Sequence, residues 1–204
     1  MMTSSCHLAV LRRILRAVPV ALAVLVTSPA CGDGAEWGID QLMQAMQQTR
    51  SDHARFTERK SIAMLEEPVD SSGELFYTAP DYMEKRTLKP KPESMILDRD
   101  TLLMERGGKK RRLRLQDAPE LAAFIDSIRG ILAGDRDALE RHYQLYLEGT
   151  ADDWTLQLTP LDKKILAVVS QILITGTGNA VHSIETRQAD GDSSLMLIER
   201  IAVP

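Results

Sequence analysis

Cysteine is scarce in this chain of 204 residues, and the two present, Cys6 and Cys31, both fall within the first 31 positions. They cannot build a disulfide scaffold or a four-thiolate zinc site, and the rest of the chain carries no thiol. Aromatic residues make up 4% of the sequence, too few for a stacking surface that would hold sugars or bases. There is no positive excess: the formal charge is −4, which argues against a general affinity for nucleic acid. Glycine (12) and proline (9) are not enriched, so collagen-like and low-complexity classes drop out. What is present, 44% hydrophobic and 26% charged residues, is the composition of a folded globular domain, and the length suits a single core.

Residues 1–30 read as a cleaved export signal. Arg12, Arg13 and Arg16 supply a positive front, residues 17–26 (AVPVALAVLV) form an apolar stretch, and Ser28-Pro29-Ala30 places small residues at a cleavage site. Ten apolar residues extend only about 15 Å as a helix against a hydrocarbon core of roughly 30 Å, too short for a membrane span. Removing those three arginines takes the formal charge from −4 to −7, so the exported body is acidic. Cys31 follows directly. Two outcomes fit that position: ordinary cleavage after Ala30, giving a soluble periplasmic protein, or lipid modification of Cys31. Ser28 stands where a lipid-modification site has a large aliphatic residue. One acyl chain gives only marginal membrane binding and several give stable anchorage.

In the remaining domain, 36–204, Ile39, Leu42, Met43 and Met46 recur at helical spacing over residues 38–50. Extended segments follow at 54–65, 73–78, 82–88, 94–98, 101–105 and 109–115, with breaks at Pro68, Ser71-Ser72-Gly73, Ala79-Pro80-Asp81 and Lys89-Pro90-Lys91-Pro92. A second helix is predicted over 119–133, with Pro119 in its first turn and Gly134 as its stop. A short helix is expected over 135–141, then strands at 143–148, 155–159, 170–175, 180–187 and 193–201. Residues 165–169 suit either a helical turn or a strand. Short links imply antiparallel neighbours. Roughly ten strands with two principal helices predict a curled antiparallel sheet, an incomplete β-barrel plugged by helices, with room inside for a ligand.

No catalytic, metal or cofactor site is legible. Gly176-Thr177-Gly178-Asn179 lacks the lysine and helix of a phosphate loop, Asp190-Gly191-Asp192 lacks the further ligands of a calcium loop, and both read as turns. His53, His142 and His182 are isolated from one another, with no paired metal-ligand spacing and no nucleophile elbow. The basic run Lys109-Lys110-Arg111-Arg112 with Arg114 reads as an edge strand, or as a contact patch for an acidic partner or anionic headgroups. Met43, Met46, Met64, Met83, Met95, Met104 and Met196 are spread over helix and strand segments; flexible thioethers suit either core packing or a wall that adapts to a ligand of loose shape.

Taken together, the export signal, the helix at 38–50, Phe56-Thr57-Glu58-Arg59-Lys60, Ser72-Gly73-Glu74-Leu75-Phe76-Tyr77 with Pro80, the hairpin at 95–103, the segment 154–160 and the meander 172–198 with its Asp190-Gly191-Asp192 turn resemble the LolA-type outer-membrane lipoprotein carrier superfamily over nearly the whole exported chain. The resemblance implies an incomplete antiparallel barrel closed by a helical lid, and a carrier that takes lipoproteins or other acylated cargo across the periplasm. Its partners would be an inner-membrane donor and an outer-membrane acceptor, with transient membrane contact and a monomeric state. It also implies that inward residues at alternate strand positions, Phe56, Leu75, Tyr77, Ile96, Leu156, Ile184 and Met196, line the lipid space, with Leu42, Met46, Leu121, Phe124 and Ile128 under the lid. Alternation fixes a strand's parity but not which parity faces inward. The sequence departs from the family at Ala79, where those carriers have an arginine that fastens the lid. Three other readings remain: an acceptor anchored through Cys31, an envelope sensor of lipidated proteins, and an acyl-ester enzyme.

Overall fold

The computed structural model describes residues 37–201; the export signal, Cys31 and the start of the predicted domain lie outside the described residues. The order is α1 (Ile39–Met46), β1 (Ser51–Ser61), β2 (Val69–Thr78), β3 (Tyr82–Lys89), β4 (Glu93–Asp98), β5 (Thr101–Arg106), β6 (Lys109–Arg114), a 3₁₀ turn (Leu115–Asp117), α2 (Pro119–Ala133), α3 (Arg136–Glu140), β7 (Tyr143–Thr150), β8 (Asp153–Pro160), α4 (Lys163–Leu166), β9 (Val169–Thr177), β10 (Ala180–Gln188) and β11 (Ser193–Arg200).

All eleven strands belong to one antiparallel sheet ordered β6-β5-β4-β3-β2-β1-β11-β10-β9-β8-β7. Two meanders, β1 to β6 and β7 to β11, join where the first strand pairs with the last, Phe56 opposite Ile198 and Glu58 opposite Met196. The sheet does not close, and the basic strand β6 forms one edge. Such a long sheet curls because each strand twists against its neighbour. The chain linking the meanders, α2 and α3, lies across the concave face.

Opposed residues of antiparallel neighbours share a face, so the register identifies the concave side. It carries Ala54, Phe56 and Glu58 of β1; Leu75 and Tyr77 of β2; Met83 and Lys85 of β3; Met95 and Leu97 of β4. In the other direction it carries Met196 and Ile198 of β11, Ile184 of β10, Ile172 and Ile174 of β9, and Leu156 and Leu158 of β8.

Two packed clusters fix the helices to this face. The larger joins Leu42, Met43 and Met46 of α1, Ala123 and Ile131 of α2 and Leu139 of α3 to Tyr143, Trp154, Leu156, Leu158, Ile172 and Ile174. The smaller joins Ile125 of α2 to Leu97, Leu102 and Leu115. Burying each such aliphatic side chain contributes about 1.5–3 kcal/mol. α2 stops at Gly134, whose backbone is left-handed at φ 65°; a side chain there would also run into the Met43 carbonyl of α1, so this close crossing requires glycine.

The sequence expectation differs from the structure at the β1–β2 connection. β1 ends at Ser61 instead of running to residue 65, because the apolar residues 62–65 turn: Leu65 N–H donates to the Ile62 carbonyl at 2.8 Å and Ala63 N–H to Asp192 Oδ1 at 2.8 Å. Conversely, Ser71-Ser72-Gly73 is no break. It is strand paired to Phe56–Glu58, and glycine is required at 73 because a side chain there would run into the Arg86 carbonyl of β3 and the Phe56 ring.

Candidate functional site

Between the two clusters the helices stand off the sheet and leave a cavity of about 660 Å³, within the range of roughly 300–1,000 Å³ that ligand pockets occupy. Its floor follows the register rows Ala54–Leu75–Lys85–Met95–Met104 and Tyr77–Met83–Leu97–Leu102 on one side, and Met196–Ile184–Ile174 on the other. Its roof is α2, through Leu121, Phe124, Ile125, Ile128, Ile131 and Leu132, with Met46 of α1. The lining residues Lys60, Ser61 and Gln188 are exposed at one end of the sheet, with Asp192 half-buried beside them, and the lining residue Arg200 is exposed at the other. Beside Arg200, Thr49 and Tyr77 are buried.

Of the residues named from sequence, Leu75, Tyr77, Ile184, Met196, Met46, Leu121, Phe124 and Ile128 come together around this cavity. The others do not line it. Phe56 faces inward but lies beneath Lys85, whose ammonium stands 4.8 Å from its ring centroid. Leu156 and Leu42 face inward too, yet both are fully buried in the larger packed cluster. Ile96 is a correction: its register partners are Glu84 and Leu103, on the convex face, and the inward positions of β4 are Met95 and Leu97. In β4 alone the expected parity was the wrong one of the two. Of the seven methionines, Met46, Met83, Met95, Met104 and Met196 border the cavity, whereas Met43 is core and Met64 projects into solvent.

Two polar groups stand in the wall, and the first escaped the sequence reading. Glu58, buried within the concave face, accepts hydrogen bonds from Lys85 Nζ and from Ser71 Oγ at 3.3 Å, with Lys60 Nζ 3.5 Å away. Burial holds the Lys85 ammonium below the ordinary lysine range, a push that the Glu58 carboxylate partly offsets. Parity was the available signal, since Glu58 is two residues from Phe56. The second group is Tyr77, 5% exposed, whose hydroxyl has no hydrogen-bond partner. Burial pushes its phenol up, so at neutral pH it is a donor with nothing to donate to.

The helices are fastened without an arginine at position 79. The Arg129 guanidinium of α2 donates to the Arg99 carbonyl in the β4–β5 turn, and its Nη1 lies 3.4 Å from Asp126 and 4.0 Å from Asp100. α1 is tied to the end of α2 by Gln47 Nε2, which donates to the Gly134 carbonyl at 3.0 Å. Ala79 donates only its backbone N–H, to the Arg50 carbonyl. The histidines do not gather: His53 stacks on Phe76 on the convex face, and His182 pairs with Thr177. No described helix is long and apolar enough to cross a membrane.

A family described as "Outer membrane lipoprotein carrier protein LolA-like" matches residues 31–203. Among solved structures, a LolA superfamily protein from Nitrosomonas europaea is similar at 11% identity, with 82% of this chain and 96% of that one covered and a TM-score of 0.44. In the MucA/MucB complex of Pseudomonas aeruginosa the figures are 14%, 81%, 56% and 0.42. For LprF of Mycobacterium bovis they are 13%, 81%, 95% and 0.34. No curated protein matches the sequence.

Proposed function

The chain belongs to the LolA-like outer membrane lipoprotein carrier family, and from that premise we propose that it shelters the acyl chains of lipoproteins or other lipids in the cavity under α2 and passes them toward the outer membrane. The observation that carries this reading is the wall itself: a space of about 660 Å³ bordered by methionine, leucine and isoleucine side chains from seven strands and two helices. Hiding one methylene from water is worth about 0.8 kcal/mol, so a chain of some sixteen carbons costs on the order of 12 kcal/mol to carry exposed. Five thioethers let the wall follow chains of different length and branching. With no energy-coupling site in the proposal, transfer runs down an affinity ladder, the donor binding more weakly than this protein and the acceptor more tightly. The cavity binds and releases; it makes and breaks no covalent bond.

The place of action we propose is the periplasm, as a monomer that meets its donor and acceptor transiently, after removal of residues 1–30. A second reading, an acceptor anchored through Cys31, follows from the position of that cysteine directly after Ala30. Mass spectrometry of the mature N-terminus separates the two, since an unmodified terminus removes the anchor. The test of the binding reading is displacement of a fluorescent fatty acid from the purified protein by a triacylated lipopeptide. Saturable displacement supports it, and no probe binding at any protein concentration refutes it.

A further inference from the structure

One flank of the edge strand β6 pairs with β5, and among the described residues no strand pairs with the other. Lys109, Lys110, Arg111, Arg112 and Arg114 make it basic along its length, and all five are exposed. Alternate residues of a strand go to opposite faces. Lys109 and Arg111 therefore lie on the side of Leu113, which packs toward α2, whereas Lys110, Arg112 and Arg114 lie on the convex side. Neighbouring carboxylates cancel part of this charge: Lys110 is 3.4 Å from Glu105, Arg114 is 3.1 Å from Asp117, and Arg106 of β5 is 2.9 Å from Glu93. Lys109, Arg111 and Arg112 form no ion pair among the described residues. In a chain of formal charge −4, the edge is a local excess of positive charge.

An open edge presents a row of backbone N–H and C=O groups to any extended chain, and folds obstruct it with proline, bulges or charge. β6 contains no proline and pairs with β5 from Lys109 to Arg114 without a register shift, so charge is its only obstruction. That obstruction is selective. A second copy of β6 laid along the edge would set lysine and arginine against lysine and arginine, and like charges directly opposite destabilise a pair. An acidic strand meets no such barrier, and each facing pair of opposite charge favours it.

We infer that the free edge of β6 accepts an acidic, extended segment of a partner protein as an added strand, with Lys109, Arg111 and Arg112 facing its carboxylates. Main-chain hydrogen bonds give such strand addition its affinity and the facing side chains give it selectivity. The arrangement of charge favours a peptide over an anionic lipid surface. The unpaired cations stand on both faces of the strand, Lys109 and Arg111 on one and Arg112 on the other, so a flat headgroup layer would meet only part of them. A strand alongside β6 sends its own side chains to both faces and meets all three. β6 runs through the 3₁₀ turn Leu115–Asp117 into α2, which puts the occupant at the root of the helix that roofs the cavity. The inference does not depend on what the cavity holds.

The test is fluorescence anisotropy of the purified protein with a labelled, end-blocked peptide repeating Glu-Asp-Val, beside one of equal charge repeating Glu-Asp-Pro, which cannot donate the backbone bonds of a strand. The Glu-Asp-Val peptide is expected to bind saturably and to slow hydrogen exchange in β6, with the Glu-Asp-Pro peptide about tenfold weaker or more. Lys109→Gln/Arg111→Gln/Arg112→Gln, three exposed and unpaired positions, should weaken the first peptide about tenfold and leave thermal unfolding and fatty-acid probe binding unchanged. Lys163→Gln/Lys164→Gln, which removes exposed charge from α4, should leave peptide binding as it is. Equal binding of the two peptides, equal loss in the two variants, or no protection of β6 overturns the proposal. So does binding to phosphatidylglycerol vesicles that the triple variant loses while wild type ignores both peptides, because that result gives the edge to lipid.

Discussion

Lys85 of β3 reaches over the Phe56 ring to donate a hydrogen bond to Glu58, so this buried carboxylate of the concave face is neutralised from two strands away. Such a pair roughly breaks even against water, whereas removing one partner strands the other. Lys85→Met is expected to destabilise the fold by about 2–3 kcal/mol, below the ~3–5 kcal/mol of a fully buried pair because Lys60 and Ser71 remain beside Glu58. The double variant Glu58→Leu/Lys85→Met should recover most of that loss in urea unfolding. The pH dependence has a definite sign. Burial lowers the Lys85 pKa below its ordinary value of about 10.5, so between the two values the unfolded chain binds the extra proton. Wild type should gain stability relative to Lys85→Met as pH rises through that alkaline window.

The wall can be filled from the sheet. Ile184 lines the cavity beside Met196, and Ile184→Trp should lower fatty-acid probe affinity by more than tenfold while thermal unfolding moves by only a few degrees, since the added volume goes into open space rather than a packed core. Leu197→Trp, on the convex face next to Met196 in sequence, should leave binding unchanged.

Tyr77 separates stability from binding. Its buried hydroxyl has no partner in the protein, so Tyr77→Phe should be neutral or stabilising by up to about 1 kcal/mol. If the hydroxyl donates to a cargo carbonyl, the same change lowers affinity for an acyl ester about fivefold and leaves affinity for a plain alkyl surfactant unaltered, as read by probe displacement.

Arg129 holds α2 to the β4–β5 turn. Arg129→Ala should raise hydrogen exchange across 121–132 and speed probe release several-fold, with smaller effects on the α1 side, where Gln47 still bonds Gly134. Unchanged release with unchanged exchange would remove α2 from the role of a lid.

How far the sequence carried this picture varies along the chain, for physical reasons. α2 was legible to the residue because Pro119 and Gly134 are local signals whose effect does not depend on the rest of the fold. β8 was legible because Trp154, Leu156 and Leu158 alternate cleanly. Gly73 misled because its reason lies on neighbouring strands: the Arg86 carbonyl of β3 and the Phe56 ring of β1 leave no room for a side chain, and no local pattern reports that. Ile96 misled because SMILD is apolar at successive positions, and only the pairing with β3 decides which side chain faces in. Leu156 showed the limit of parity itself, since an inward side chain belongs to the cavity or to the core according to where the helices touch down. The same register knowledge would have exposed Glu58, placed inward by its distance of two from Phe56.

The most direct measurement is lipid mass spectrometry of the protein purified from the periplasm, with Ile184→Trp purified in parallel. Acylated molecules recovered in stoichiometric amount with wild type and depleted from the filled variant are the result this account predicts. Wild-type protein that emerges free of any acylated species, and that also fails to bind a fluorescent fatty acid, would contradict it.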